Sequence, residues 1–483
     1  MTVPPRSPAS PSRLWVLPQL ASAAWRSDDP QTLTFALPGH DDAVSQAHAR
    51  AVVDVALRVG EALLVMGTPA SDAAATALRV LHAYGVSSAH VDITFTSITL
   101  SVHRGLDQDP LTVTRVIRQR TLDHSRLQNV QRLIDRVTTM HSATRPSIDE
   151  VREELVGALR APRPYRNWVV TLGGALMAAG IVVTLGGGPV SILLAAVSAA
   201  IVTEVVAALG RAAFPAFYSQ VVGAAIPTAI AVGLAWLQLN GVALSGTDSP
   251  SLVAISGIVV LLAGMTVVGA AQDALDGYYV TASARGLEVV VVTMGIAVGI
   301  GLVLTLTARA GLPVTITPQV ASVSALLPSL VAAVLVGTGF ALSTRTAPKT
   351  TLLAGLTAPL VYAAYLPVVP LDLPVGFAVA VPALLAGALG FAAHHRLQVP
   401  EQVVTSAAII MLLPGLAVYR GLDQLISAGN TNAGLEQLLG ALGTGLGLAA
   451  GVSVGSFLAR RFIGLDRIGR RVLRGRQRTD RVE

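Results

Sequence analysis

Residues 287–307 read LEVVVVTMGIAVGIGLVLTLT, a run whose one ionisable side chain is Glu288 at its start. As a helix it would rise about 30 Å, the thickness of a bilayer's hydrocarbon core. The same signature recurs on both sides of it. Apolar segments fall at 168–186, 190–209, 217–238, 252–271, 287–307, 322–342, 350–368, 375–393, 403–419 and 435–459. The stretch 350–370 reads as loop or span, because Pro359, Pro367 and Pro370 interrupt it. The chain has 483 residues, 52% hydrophobic and 13% charged, with a mean hydropathy of +0.63. Soluble domains carry about 25% charged residues. So few charges cannot clothe a soluble globule of this size. A soluble single-domain enzyme, a disordered chain and a collagen-like fibre are excluded, and a polytopic α-helical membrane protein of about ten spans remains.

Ten spans divide into two halves of five, 168–307 and 322–459. Leu261-Leu262-Ala263-Gly264 in the fourth segment matches Leu412-Leu413-Pro414-Gly415 in the ninth, and Pro227 mid-span in the third matches Pro382 in the eighth. Five is odd, so the second half would run inverted to the first, an architecture common in secondary transporters. Pro is also simply frequent in membrane helices.

Ahead of the spans lie two further regions. Residues 1–40 are rich in Pro, Ser and Ala and read as a disordered lead; Arg6, Arg13 and the short run Leu14–Leu17 make only a weak signal peptide, broken by Pro18. Residues 41–160 read as a soluble α+β domain. Val44 to Met66 has helical spacing and stops at Gly67 and Pro69, and a second helix is expected over Ser71–Tyr84. Val91, Ile93 and Phe95, then Ile98, Leu100 and Val102, alternate as half-buried strands, with a third at Leu111–Ile117. Helical spacing returns over 124–140, and Ser147 with Glu150 forms a capping box that opens a helix to Arg160.

Charge sets the orientation. The net +6 resides in residues 460–483, with nine Arg against three acids. A basic tail after a span reads as an anchor on anionic lipid headgroups rather than a nucleic-acid arm. With the first span starting in the cytoplasm, inner loops hold Arg211, Arg285, Arg345, Lys349 and Arg396, and outer loops hold Arg309 and Arg420. That distribution places the 41–160 domain and both termini in the cytoplasm.

Acidic groups within spans point to function. Glu204 would bind a proton or a substrate ammonium, or else snorkel and pair with Arg211. Asp273, Asp276, Arg285 and Glu288 cluster across the loop before 287–307. Two carboxylates three residues apart share a helix face and can relay a proton. Arg285 can hold a carboxylate, and an amino-acid zwitterion needs one acid and one base close together; an ordinary polar loop is the alternative. Gln220 is a further substrate-holding candidate, and Asp423 with Arg420 is the corresponding pair after the ninth span. Gly443, Gly447, Gly451 and Gly455 recur every four residues, a face for close helix packing, with Gly295 and Gly299 as a shorter one. Within it Gly451-Val452-Ser453-Val454-Gly455 matches a hydrolase pattern but lacks the strand–turn–helix setting that chemistry requires. The chain has no Cys, no HExxH and no nucleotide-binding fingerprint, so neither a metal nor another cofactor is expected, and no enzymatic activity.

Several stretches resemble the threonine/serine exporter family of bacterial secondary transporters: Glu61–Thr68, Ala77–Arg79, Tyr84–Val86 and Val91–Thr96; Ser219–Ala224; Asp276–Thr281 with Ala284–Glu288; and Leu413–Arg420. They extend over residues 50 to about 460. Ala263 departs from a Pro-Gly pair often found there in the family. The resemblance implies a cytoplasmic N-terminal domain, about ten spans in the bacterial plasma membrane, and export of threonine and serine driven by the proton motive force. Amino-acid substrate and protons would be the small partners, with the N-terminal domain gating the inner mouth or setting contacts between copies in a homo-oligomer. An exporter of another small solute such as a dicarboxylate, or a membrane scaffold or sensor, are the alternatives.

Overall fold

The computed structural model describes residues 45–103, 109–117, 120–242, 250–261, 264–311, 326–426 and 430–479. The 1–40 lead, its leader-like run, the dipeptide 262–263 and the first residues of the 322–342 segment lie outside them. The N-terminal unit contains helices α1 (Gln46–Val65) and α2 (Ala70–Ala83), an antiparallel sheet in the order β1 (Ala89–Thr94), β2 (Ser97–Val102), β3 (Leu111–Val116), then α3 (His124–Thr139) and α4 (Ile148–Arg160). Alternation puts Ile98, Leu100 and Val102 of β2 under the sheet, against Leu57, Leu63, Leu81, Leu127 and Leu155 from the helices. The capping box at Ser147 and Glu150 is formed as expected.

The remainder is helical: α5 (Asn167–Thr184), α6 (Pro189–Arg211), α7 (Ala216–Leu239), α8 (Pro250–Val259), α9 (Gly264–Leu275), α10 (Tyr279–Arg309), α11 (Leu326–Ser343), α12 (Pro348–Tyr365), α13 (Val375–Leu397), α14 (Glu401–Ile409), α15 (Gly415–Ile426) and α16 (Thr431–Thr479). Among the described residues, eight helical segments are long and apolar enough to cross a membrane, α12 counting together with the turn that follows it. The proline-interrupted segment is therefore a span by that measure: Pro359 sits inside α12. Large apolar side chains such as Leu193, Leu327 and Phe377 face outward, as lipid contact requires.

Two of the ten expected segments are not single helices. The pair α8 and α9 meets the span criteria only when taken together, and it bends by 42° at the break. In the other, α14 runs into a 3-10 turn at Ile410–Leu412 and extended Leu413 before α15 starts, and Pro414 explains the stop. The two breaks face each other: a Cβ on Gly264 would lie 2.9 Å from the Leu413 Cβ.

The principal helix contacts repeat under exchange of α5–α10 with α11–α16. In the first group α5 touches α6, α6 touches α7, α8 touches α5, α6 and α7, and α10 touches α7 and α9. In the second, α11 touches α12, α12 touches α13, α14 touches α11, α12 and α13, and α16 touches α13 and α15. Between groups, α5 meets α11, while α9–α16 and α10–α15 exchange with one another. The glycine faces obey the same pairing. A Cβ on Gly295 or Gly299 would strike the α7 carbonyls of Phe217 and Val221, and one on Gly447, Gly451 or Gly455 would overlap the α13 carbonyls of Gly376, Ala380 and Leu384. Gly443 differs from the expectation for that stripe. A Cβ there meets nothing, and its contribution is its carbonyl, against which Gly376 packs.

Candidate functional site

Two helix-terminating turns bring the site together. At the end of α1, Gly67 adopts φ +89° and the Gly67 and Thr68 amides donate to the carbonyls of Leu64 and Leu63. This left-handed stop is one that glycine makes without strain. Pro69 then redirects the chain into α2. At the end of α9, Gly277 does the same at φ +86°, with the Tyr278 amide donating to the Asp273 carbonyl. The reversal sets Asp273, near the end of α9, against Arg285 in the second turn of α10.

The first turn plugs into the second. Arg285 Nε and Asp273 Oδ2 form an ion pair at 3.1 Å, without a well-aligned hydrogen bond between them, and both side chains are buried. Asp273 Oδ1 accepts from the Ala70 amide at 2.9 Å, so the carboxylate sits at the positive N-terminal end of α2. Arg285 Nη2 donates to the Thr68 carbonyl at 3.2 Å. Gly269 clears space for the guanidinium, because a Cβ there would lie 2.5 Å from Nη1. From α14, Gln402 Nε2 donates to the Gly67 carbonyl at 2.9 Å, and Val403 joins the N-terminal core. Two atoms beside these contacts, Thr68 Oγ1 and Gln402 Oε1, are buried with no hydrogen-bond partner.

Around this centre lie further contacts, some of them exposed. Ser71 Oγ donates to Asp276 Oδ2, and Thr281 Oγ1 donates to the Ile93 carbonyl. Arg120 lies over the Phe95 ring and faces Glu288 at 3.9 Å. Asp72 keeps exposed surface, with protein crowding around its carboxyl. Burial there is the first cause that pushes its carboxyl up to about 6; Glu401 adds repulsion, Arg460 opposes it, Asp276 adds more and Arg79 opposes. Farther along the junction, the His124 amide donates to the Thr344 carbonyl and its ring contacts Thr346 and Phe340. Burial lowers the His124 pKa to about 4, which keeps the ring neutral.

Of the residues singled out in the sequence, Asp273, Asp276, Arg285 and Glu288 come together. Glu204 stands apart on α6, accepting from Thr171 of α5, while Arg211 Nε donates to the Ala207 carbonyl of its own helix. Gln220 is on α7 beside Gly295 of α10, and its Oε1 is buried without a partner. The side chain of Asp423 lies outside the described residues, as do those beyond position 462. Ser453 sits within α16, far from any strand–turn–helix elbow in the chain's order of elements. Thr68, Ala70, Asp72 and Gln402 were missed by sequence reading. The Gly67–Pro69 punctuation marked a helix stop but not what the stop inserts into, and Gln402, polar at the head of an apolar run, was the one local signal. Among the described residues no three metal-ligating side chains gather.

Chemically, the centre is a buried acid and base with their remaining valences on backbone amide groups. The family model described as "Putative threonine/serine exporter" matches residues 54–307, and the one described as "Threonine/Serine exporter, ThrE" matches residues 329–458. The chain belongs to the threonine/serine exporter family. Two relatives extend over most of it. A "Probable threonine/serine exporter" of Mycobacterium tuberculosis (strain ATCC 25618 / H37Rv) is 35% identical over 438 residues, 88% of this chain and 80% of that protein. A "Threonine/serine exporter" of Corynebacterium glutamicum is 35% identical over 428 residues, 87% of this chain and 85% of that protein. No solved structure matches significantly. Membership makes this a multi-pass membrane protein of a transporter family, and the boundary between the two matches falls between α10 and α11.

Proposed function

We propose that this protein exports threonine and serine from the cytoplasm across the plasma membrane, driven by the proton motive force. The observation that carries the reading is the 35% identity to exporters of that name over nearly nine-tenths of the chain. The site supports it: Arg285 and Asp273 supply the base and acid that a zwitterion requires, and Asp276, Glu288 and Glu204 supply carboxylates along the route for protons. Gln220, with a free buried carbonyl oxygen, faces α10 and offers a hydrogen bond to cargo. The basic tail rests on anionic headgroups.

The working architecture is ten crossings in two inverted halves of five with both ends in the cytoplasm, and chain parity supports it. The N-terminal unit contacts residues 276–288, then 344–350, then 394–403. Between the first two intervals lie α10 and α11, and between the next two lie α12 and α13. Arg460, within α16, reaches back to Glu401 at the start of α14 at 3.3 Å. Each of these excursions returns to one side by crossing twice, with α14–α15 counting as one crossing, and the earlier passage from α4 to residue 276 returns by crossing four times, with α5, α6, α7 and the pair α8–α9 counting as one apiece. Arg211, Arg345, Lys349 and Arg396 fall on that same side, the side that positive charge marks as cytoplasmic. The exchange of helix contacts between the two groups supports the halves, and alternating access would rock one against the other. Efflux of labelled threonine from preloaded cells, with and without the chain and an uncoupler, tests the reading. Efflux that requires the chain and is abolished by the uncoupler supports it; equal efflux without the chain refutes it.

A further inference from the structure

The backbone groups held by Arg285 and Asp273 are a carbonyl and an amide N–H from one turn. Arg285 takes the Thr68 carbonyl as it would a carboxylate oxygen, and Asp273 takes the Ala70 N–H as it would an ammonium proton. Gln402, from the other group of helices, grips the Gly67 carbonyl of the same turn. Next to them, Thr68 Oγ1 and Gln402 Oε1 are buried without hydrogen bonds. Ala70 is completely buried, as is Asp273, so nothing else reaches the pair while the turn is in place. The turn bridges α9 and α10 of the first group to α14 of the second, where separation of the groups would open a path from the cytoplasm.

We propose that Arg285 and Asp273 form an α-amino-acid site at the inner mouth and that Gly67–Ala70 occupies it as a built-in stand-in for the cargo. Cargo and turn compete. When the turn withdraws, Arg285 receives the amino acid's carboxylate, Asp273 its ammonium, and Gln402 Oε1 becomes an acceptor for a cargo hydroxyl. The inner mouth therefore closes on an occupied pair whether or not cargo is present, and a buried charge is never left bare, which would be costly. This rests on the reading that the cargo is threonine or serine, and the experiment separates the two.

The chain has no Cys, so Thr68→Cys gives a single reporter, at a position whose hydroxyl makes no hydrogen bond. In vesicles with the cytoplasmic face outward, a water-soluble maleimide should label it slowly, because Thr68 is buried. Threonine at about ten times its dissociation constant should raise the labelling rate about tenfold, since it binds only the open form. Acetate, which lacks the ammonium, should leave the rate unchanged. Ala70→Pro in the same background removes the N–H that Asp273 accepts at the first helical position, where proline is tolerated. It should raise labelling without threonine by about tenfold, the worth of a hydrogen bond to a charged group. Threonine flux together with labelling that threonine does not accelerate overturns the competing turn and leaves the export reading intact. Labelling unchanged by Ala70→Pro also overturns it. Absence of threonine flux by the unmutated chain in the same vesicles removes the export reading and the proposal together.

Discussion

Replacing Arg285 with Met takes away the guanidinium 3.1 Å from a carboxylate with no exposed surface. Asp273 keeps the Ala70 amide as a partner and loses its counter-charge. Removing one member of a buried pair costs about 3–5 kcal/mol, because the other is left uncompensated. Binding a proton instead sets a ceiling: neutralising an ordinary aspartate at pH 7 costs about 4 kcal/mol. Arg285→Met should therefore destabilise by about 3–4 kcal/mol. Asp273→Asn in the wild-type background should cost a similar amount, because it strands the guanidinium. In the double variant Asp273→Asn/Arg285→Met the Asn oxygen still accepts from Ala70 and no charge is buried. Its cost should fall to about 1–2 kcal/mol, well short of the sum of the single changes. Detergent-titrated unfolding in mixed micelles, followed by circular dichroism, supplies the four values of the cycle. Single variants as stable as wild type, or a double variant equal to the sum, would refute the buried-pair reasoning.

Three more expectations follow from the geometry. Gly455→Ala places a methyl on the Leu384 carbonyl and should lower stability by about 1–3 kcal/mol, whereas Gly443→Ala enters open space and should be nearly silent; equal effects in thermal melts would contradict the packing. His124 is buried neutral with its pKa near 4, so the unfolded chain binds more protons between about pH 4 and 6.5. Stability contributed by that ring is full above pH 6.5 and is lost as pH falls toward 4, by up to about 3 kcal/mol. His124→Gln should flatten this part of the stability–pH curve, and an unchanged slope would count against the assignment. Asp276→Asn should abolish threonine efflux while the protein remains in the membrane; undiminished efflux removes Asp276 from the transport route.

The periodic elements were legible because each has a local cause. Residues 287–307 are apolar on every face, and the structure makes them the core of the longer helix Tyr279–Arg309. The alternation in Ile98, Leu100 and Val102, the cap at Ser147 and the stop at Gly67 also appear where their side chains dictate. The breaks at Val259–Gly264 and Ile409–Gly415 were visible only as matching short motifs, because a break depends on what packs across it, here Gly264 on Leu413. The Asp273–Arg285 cluster was visible as charge density near a span. Its partner could not be read, because Thr68 and Ala70 lie about two hundred positions earlier and contribute backbone atoms, which carry no residue-specific signal. Gln402 and Glu204 were visible as polar side chains in apolar runs, but their partners depend on packing: Gln402 reaches the Gly67 carbonyl, and the bond of Glu204 to Thr171 rather than Arg211 follows from how α5 lies on α6.

The most direct measurement uses the purified chain in proteoliposomes loaded with labelled threonine, with a proton gradient imposed across the membrane. The account expects gradient-dependent release of threonine that excess serine competes with and that collapses with the gradient. Threonine release no faster than from protein-free vesicles, with the gradient verified, would contradict it.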